Sequence, residues 1–221
     1  MSKFDVSKFK HVTVALNTPF TSDGSVDVNA VKAVSRYFRD KGIKQMYVCG
    51  STGEGFLLDT EERKLVAETV VNEVGQDMNI IVHVGCPDTR HSCELAAHAE
   101  KIGAAATSAV PCVYYHLGEE SVYRHWTAIT ETADLPFFIY NIPQLTSFNL
   151  SMNLFNRMLE TRGLLALSVP LILLRIFFAS SRPAEKILSY LTARTSSMQP
   201  EDFLALMPES AEPTVQCQSC I

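Results

Sequence analysis

Two patterns of apolar residues alternate along the first 160 positions: short unbroken runs, and longer stretches with apolar positions three or four apart. The runs read as buried strands and the stretches as amphipathic helices. Residues 12–16 are predicted as a strand ending at the turn Asn17-Thr18-Pro19, and residues 28–39 as a helix with Val31, Val34 and Phe38 on one face. Residues 45–49 form a second predicted strand, which runs straight into Gly50-Ser51-Thr52-Gly53-Glu54-Gly55. The next helix has a clear start signal, Asp59 with Glu62 three positions on, the spacing of a capping box. Its apolar face is read through Leu65, Val66, Thr69 and Val70. Strands at 79–84, 105–110 and 137–140 and helices at 93–102, 121–132 and 150–159 complete the series, with Gly103 closing the third helix.

Strands that are apolar throughout, alternating with helices, imply a parallel sheet covered by helices. The repeat of about 30 residues suits a (β/α)8 barrel, and a doubly wound sheet would show the same alternation. In either fold the chemistry belongs at the C-terminal ends of the strands. The pattern holds for residues 1–160 and fails over 161–221, so the chain divides there.

Composition narrows the class. The chain has 221 residues, 47% of them hydrophobic, enough for one sizeable core. A net charge of -5, with acids and bases interspersed, offers no basic patch for nucleic acid. The N-terminus lacks the apolar run of a secretory signal, and the six cysteines show no disulfide-like framework. Together these read as a cytoplasmic protein with reduced thiols.

Two turns carry candidate chemistry. Gly50-Ser51-Thr52-Gly53-Glu54 offers two hydroxyls and several backbone N–H groups where glycine lets the main chain approach an anion; a turn that merely caps the next helix fits equally well. Tyr140-Asn141-Ile142-Pro143 puts a phenol at a strand end, suited to general acid–base work or to a structural hydrogen bond.

Taken together, Asn17-Thr18-Pro19-Phe20, Asp23-Gly24, Gly50-Ser51-Thr52-Gly53-Glu54-Gly55, Tyr114-Tyr115 and Tyr140-Asn141-Ile142-Pro143 resemble the dihydrodipicolinate synthase and N-acetylneuraminate lyase superfamily over residues 9–160. The resemblance implies a (β/α)8 TIM barrel, a homotetramer, and a Schiff base between a barrel lysine and pyruvate, with no other cofactor, metal or membrane attachment. It implies that Gly50, Ser51, Thr52 and Gly53 bind the pyruvate carboxylate and that Tyr140 relays protons. Tyr114 or Tyr115 is similar to the aromatic that completes a relay across a subunit boundary. The synthase branch usually has an arginine two positions after the Tyr-Asn-Val-Pro motif; here Leu145 stands there, which favours the sialic acid lyase branch. Ser147 occupies a position where the family commonly has glycine.

After Glu160 the resemblance stops. The Schiff-base lysine is expected near Ser168, yet no lysine occurs between Lys101 and Lys186, and Lys186 lacks a strand-end context. The tail has a reading on paper. Residues 164–168 can be encoded so that starting one nucleotide upstream gives Val-Ile-Gly-Val-Lys, a strand ending in lysine. The same shift over residues 199–214 permits Ala-Ala-Gly-Arg-Phe-Leu-Gly-Ala-Asp-Ala-Gly-Ile-Gly-Gly-Thr-Tyr, which resembles later barrel units of the lyase branch. A single-nucleotide change near the Glu160 and Thr161 codons accounts for both. On that reading the apolar stretch 163–181, interrupted by Pro170 and Arg175, is no membrane span, and the Cys217/Cys220 pair is no metal site. Three functional readings remain: an N-acetylneuraminate lyase whose present copy lacks its lysine, a dihydrodipicolinate synthase or keto-sugar-acid aldolase, and a non-catalytic fragment.

Overall fold

The computed structural model describes residues 4–161 and the strands Leu164–Val169 and Arg175–Phe178. Seven strands form one sheet in sequential order, β1 (Thr13–Ala15), β2 (Gln45–Val48), β3 (Asn79–His83), β4 (Ala106–Ala109), β5 (Phe137–Tyr140), β6 (Leu164–Val169) and β7 (Arg175–Phe178). All pairings from β1 to β6 are parallel. This order decides between the two architectures left open by pattern. A doubly wound sheet reverses direction at a switch point, whereas here each strand is laid down beside its predecessor on the same side, the winding of a (β/α)8 barrel. Between the strands lie α1 (Val28–Asp40), α2 (Thr60–Val74), α3 (Thr89–Lys101) and α4 (Glu119–Thr132), followed by α5 (Pro143–Thr146) and α6 (Met152–Glu160).

The strand predictions agree to within two residues at each end, because continuous apolar runs leave little choice. Around α2 the capping box forms as read: Asp59 accepts from the Glu62 N–H at 2.8 Å, and the Glu62 carboxylate accepts from the Asp59 N–H at 2.9 Å. Of the expected apolar face of α2, Val66, Thr69 and Val70 are buried and Leu65 is not. Leu65 is 42% exposed, and the buried stripe runs through Arg63, Val66, Ala67, Val70 and Val74. α3 starts four residues earlier than expected, since Asp88 caps it by accepting from the His91 N–H. Gly103 lies one position beyond the cap residue Ile102, at φ +81°, the left-handed turn that glycine makes easily.

Alternate strand residues divide the interior into two layers. Met46, Val48, Ile80, Val82, Phe137 and Ile139 pack beneath the helices with Trp126, Leu154 and Phe155. Tyr47, Ile81, Ala106, Phe138 and Tyr140 form the inner layer, with Phe9 set edge-on against Phe138 at its base. β6 continues the parallel order, with Ser168 in register with Tyr140. β7 departs from barrel geometry by pairing antiparallel to β6. Lys186, Cys217 and Cys220 lie outside the described residues. No helix among the described residues is long and apolar enough to cross a membrane.

Candidate active site

Both loops singled out in the sequence come together at the C-terminal mouth of the sheet. β2 ends at Val48, and Cys49 then adopts a left-handed conformation (φ 58°) that turns the chain into a series of tight turns. These are closed by Glu54 N–H to Ser51 O at 3.1 Å, Gly55 N–H to Gly50 O at 3.0 Å and Leu57 N–H to Glu54 O at 2.8 Å. Ser51 and Thr52 are exposed at the tip, while Gly50, Gly53 and Gly55 are buried. The buried Thr18 hydroxyl donates to Gly53 O at 2.7 Å, so the turn after β1 fixes the loop after β2. Opposite the loop, Tyr140 closes β5 with its phenol 3.5 Å from the Ser51 hydroxyl.

Rings pack beneath this pair. Tyr140 meets Tyr47 and His83 edge-on, each at 5.8 Å, and Phe56 leans on His83 at 5.7 Å. Tyr47 is held inside: its hydroxyl donates to Ser108 Oγ at 3.0 Å, which donates to Phe138 O at 2.9 Å. Burial pushes its pKa well above that of an ordinary phenol, so Tyr47 stays protonated and structural. Of the two phenols, Tyr140 is the one that reaches the mouth.

The polar support consists of residues that pattern reading did not assign. His83 is buried, with Nδ1 3.2 Å from Cys49 O and Nε2 3.4 Å from Val110 N. A neutral ring protonated on Nδ1 donates to the carbonyl and accepts from the amide, and it leaves Arg63 Nη2, 3.3 Å from Nδ1, to donate to His83 O instead. Burial, reinforced by the Arg63 guanidinium, holds the His83 pKa well below the usual value, so this ring ties two strand ends together and does not carry protons. Arg63 reaches in from α2, its Nη1 donating to Gly85 O and Cys86 Sγ, both at 3.0 Å, and its Nη2 to His83 O at 2.7 Å. Burial raises the neighbouring Cys49 thiol to about 11. The four described cysteines, Cys49, Cys86, Cys93 and Cys112, are free.

Buried neutral histidines make stability depend on pH with a definite sign. Burial lowers His125, bonded to the Thr89 hydroxyl at 2.9 Å, to about 4. The unfolded chain takes up protons near 6.5 and the folded chain does not, so stability falls as pH drops from 6.5 toward 4. The slope is up to about 1.4 kcal/mol per pH unit for each such histidine. Urea unfolding at pH 7 and 5 measures it; His125→Gln is expected to flatten the slope, and an unchanged slope would refute the assignment.

Three further features lie around the mouth. Tyr114 and Tyr115, on the loop after β4, are 88% and 71% exposed and pack edge-on against each other at 5.0 Å. Tyr114 is itself left-handed (φ 80°). Leu145 lies on α5, 65% exposed. Ser147 closes α5 at φ 52°, which gives the physical reason a glycine suits this position. Ser147→Gly is expected to raise stability by about 0.5–1 kcal/mol, net of the chain entropy glycine adds. A lowered urea midpoint would refute that reading.

Comparison with known proteins agrees with this geometry. Residues 8–169 match the model of the Dihydrodipicolinate synthetase family. An N-acetylneuraminate lyase of Mediterraneibacter gnavus is 39% identical over 155 residues, 70% of this chain and 49% of that protein. A 4-hydroxy-tetrahydrodipicolinate synthase of Chlorobaculum parvum is 40% identical over 139 residues, 63% of this chain and 47% of that protein. Among solved structures, the wild-type sialic acid aldolase of Ruminococcus gnavus superposes with a TM-score of 0.72 at 33% identity, covering 83% of this chain and 58% of that one. The chain thus spans about half the length of the curated relatives it matches. A match over nearly three quarters of the sequence, on a parallel sheet wound in barrel order, places this chain in the dihydrodipicolinate synthetase family of class I pyruvate aldolases and lyases.

Proposed function

We propose that this chain carries the pyruvate-binding half of an N-acetylneuraminate lyase, an enzyme that cleaves N-acetylneuraminate to N-acetylmannosamine and pyruvate, and that the present polypeptide is inactive for want of its Schiff-base lysine. The observation that carries the proposal is the Ser51–Tyr140 pair at the mouth, with Ser168 at the neighbouring register position of β6. In such a site the hydroxyls and amides of residues 50–53 hold the carboxylate, and Tyr140 passes protons to and from the reacting carbon. An amine on the adjacent strand end supplies the iminium that withdraws electrons from the breaking carbon–carbon bond. The residue at that register position is serine.

Leu145 supports the lyase branch over the synthase branch, because leucine offers no bidentate grip on a second carboxylate. Sequence similarity to members of both branches keeps a dihydrodipicolinate synthase or a keto-sugar-acid aldolase as the second reading. In the intact enzyme Tyr114 or Tyr115 serves a neighbouring subunit of a cytoplasmic homotetramer, which fits their exposure. Residues 161–221 are the product of a one-nucleotide shift in reading frame.

Labelled pyruvate with borohydride tests the proposal. The chain as it stands is expected to take no covalent label, yet to bind pyruvate reversibly in saturation-transfer NMR, with the signal lost in Ser51→Ala/Thr52→Val. Covalent labelling of the unaltered chain would overturn the account of its inactivity. Reversible binding indifferent to the double substitution would overturn the site.

A further inference from the structure

The pyruvate site proposed above has a carboxylate to neutralise, yet its loop offers only hydroxyls and amides, and its one charged side chain, Glu54, is an exposed acid. A cation lies behind it. Arg63 is 3% exposed, and its guanidinium donates to Gly85 O, His83 O and Cys86 Sγ, all neutral groups. No carboxylate among the described residues lies within 4 Å of it. Its Nε–H is buried without a hydrogen-bond partner in the protein. A buried charge left without a counter-ion is costly, and the cost falls when an anion arrives close by.

The connection to the loop is short. The guanidinium donates to His83 O, and the His83 ring donates to Cys49 O, the residue that opens the turn into Gly50 and Ser51. Cys49 Sγ returns the link by donating to Arg63 O at 3.6 Å. The field of the guanidinium reaches Cys49, His83 and Tyr47, the buried layer beneath the mouth. These side chains are buried, so the charge acts over a longer range than it would at the surface.

We propose that Arg63 is the counter-charge of the carboxylate bound by residues 50–53: a buried positioning residue that never touches the ligand and makes the loop selective for an anion. The proposal rests on the pyruvate-binding reading above and adds the source of its charge preference.

The test compares pyruvate with pyruvamide, its neutral analogue of similar shape, by NMR titration of the full chain. Variants are Arg63→Gln, which removes the charge, Arg63→Lys, which keeps it without the planar fork, and Ser51→Ala/Thr52→Val. Arg63→Gln is expected to weaken pyruvate about tenfold and pyruvamide less than about twofold, with Arg63→Lys holding pyruvate within about threefold of wild type. Equal weakening of both ligands by Arg63→Gln, the result of a purely structural role, overturns the proposal, as does no change in either. Should the glutamine variant fail to fold, Arg63→Met takes its place: selective loss of pyruvate supports the counter-charge, and equal loss for both ligands, or none, refutes it. Binding that depends on Ser51 and Thr52 but not on the charge at 63 removes this inference only. Binding indifferent to Ser51 and Thr52 removes the pyruvate site, and this inference with it.

Discussion

Shifting the codons after Glu160 back by one nucleotide is expected to turn a chain that takes no covalent pyruvate label into one that is trapped by borohydride. Cleavage of N-acetylneuraminate should rise at least about 10⁴-fold over the unshifted chain. The magnitude follows from what each group can supply. Proton transfer by a placed phenol such as Tyr140 contributes about 10²–10⁴, and carboxylate binding by the 50–53 loop orients the ligand. Neither gives the electrons of a breaking carbon–carbon bond anywhere to go. That needs a protonated imine, hence an amine, and position 168 beside Tyr140 is a serine with no lysine from 102 to 185. The shifted frame reads lysine within one codon of that position. Reductive trapping, peptide mapping of the label and a coupled assay for N-acetylmannosamine measure the outcome. A shifted protein that folds yet neither labels nor cleaves would refute the frame argument, and so would equal activity in both chains. Cleavage of another keto-sugar acid in place of sialic acid would retain the amine logic and move the substrate to the second reading.

Much of the scaffold and part of the site were legible in the sequence. Fully buried parallel strands announce themselves as unbroken apolar runs, and Asp59 with Glu62 fixed the start of α2 to the residue. The barrel direction was not legible, because βα alternation is common to two windings; only the pairing order separated them. One position of the α2 face, Leu65, was misread for a physical reason. Arg63 occupies a core-facing position of the helix, at the head of the stripe Arg63, Val66, Val70, Val74. A charged side chain there breaks the apolar pattern and pulls the eye to Leu65, which is exposed. The misplaced cation was itself the signal: an arginine in step with an apolar stripe has a buried partner to find. Thr18 and His83 gave weaker signs. Their roles depend on bonds across 35 and 34 positions, to Gly53 O and Cys49 O, which no local window contains. Start signals were legible only where the cap was sought: Asp88 caps α3 just as Asp59 caps α2, without a glutamate three positions on.

The left-handed residues show how the mouth is shaped. Cys49, Glu54, Tyr114 and Ser147 are non-glycine residues at positive φ, and all four lie on loops after strands β2, β4 and β5. Such conformations cost on the order of 1–3 kcal/mol each and persist where surrounding contacts over-determine them. Around Cys49 those contacts are the His83 bond to its carbonyl, its own bond to Arg63 O and the return of Gly55 onto Gly50. The loop is therefore pre-set before any ligand arrives, which limits the ordering cost of binding.

Gly55→Ala is expected to destroy that pre-set loop. A β-carbon at position 55 would lie 1.9 Å from Cys49 O and 2.7 Å from Cys49 C, backbone atoms that cannot step aside as a side-chain end could. Either Cys49 leaves its left-handed conformation or the turn from Gly50 to Gly55 opens; both pull the carbonyl away from the His83 ring and Ser51 away from Tyr140. The expected cost is about 2–4 kcal/mol of stability, at the upper end for overpacking because both atoms are main chain. Pyruvate binding should fall more than about tenfold even where the variant remains folded, since a displacement of 1 Å or so breaks the carboxylate geometry. Gly118→Ala provides the contrast. Nothing lies within 4 Å of a β-carbon there, so its cost is limited to a poorer helix cap on α4, about 1 kcal/mol, with pyruvate binding unchanged. Urea midpoints and pyruvate titrations on the two variants measure the difference. Similar small losses in both would mean that the loop is compliant, and that close approach of Gly55 to Cys49 does not shape the site.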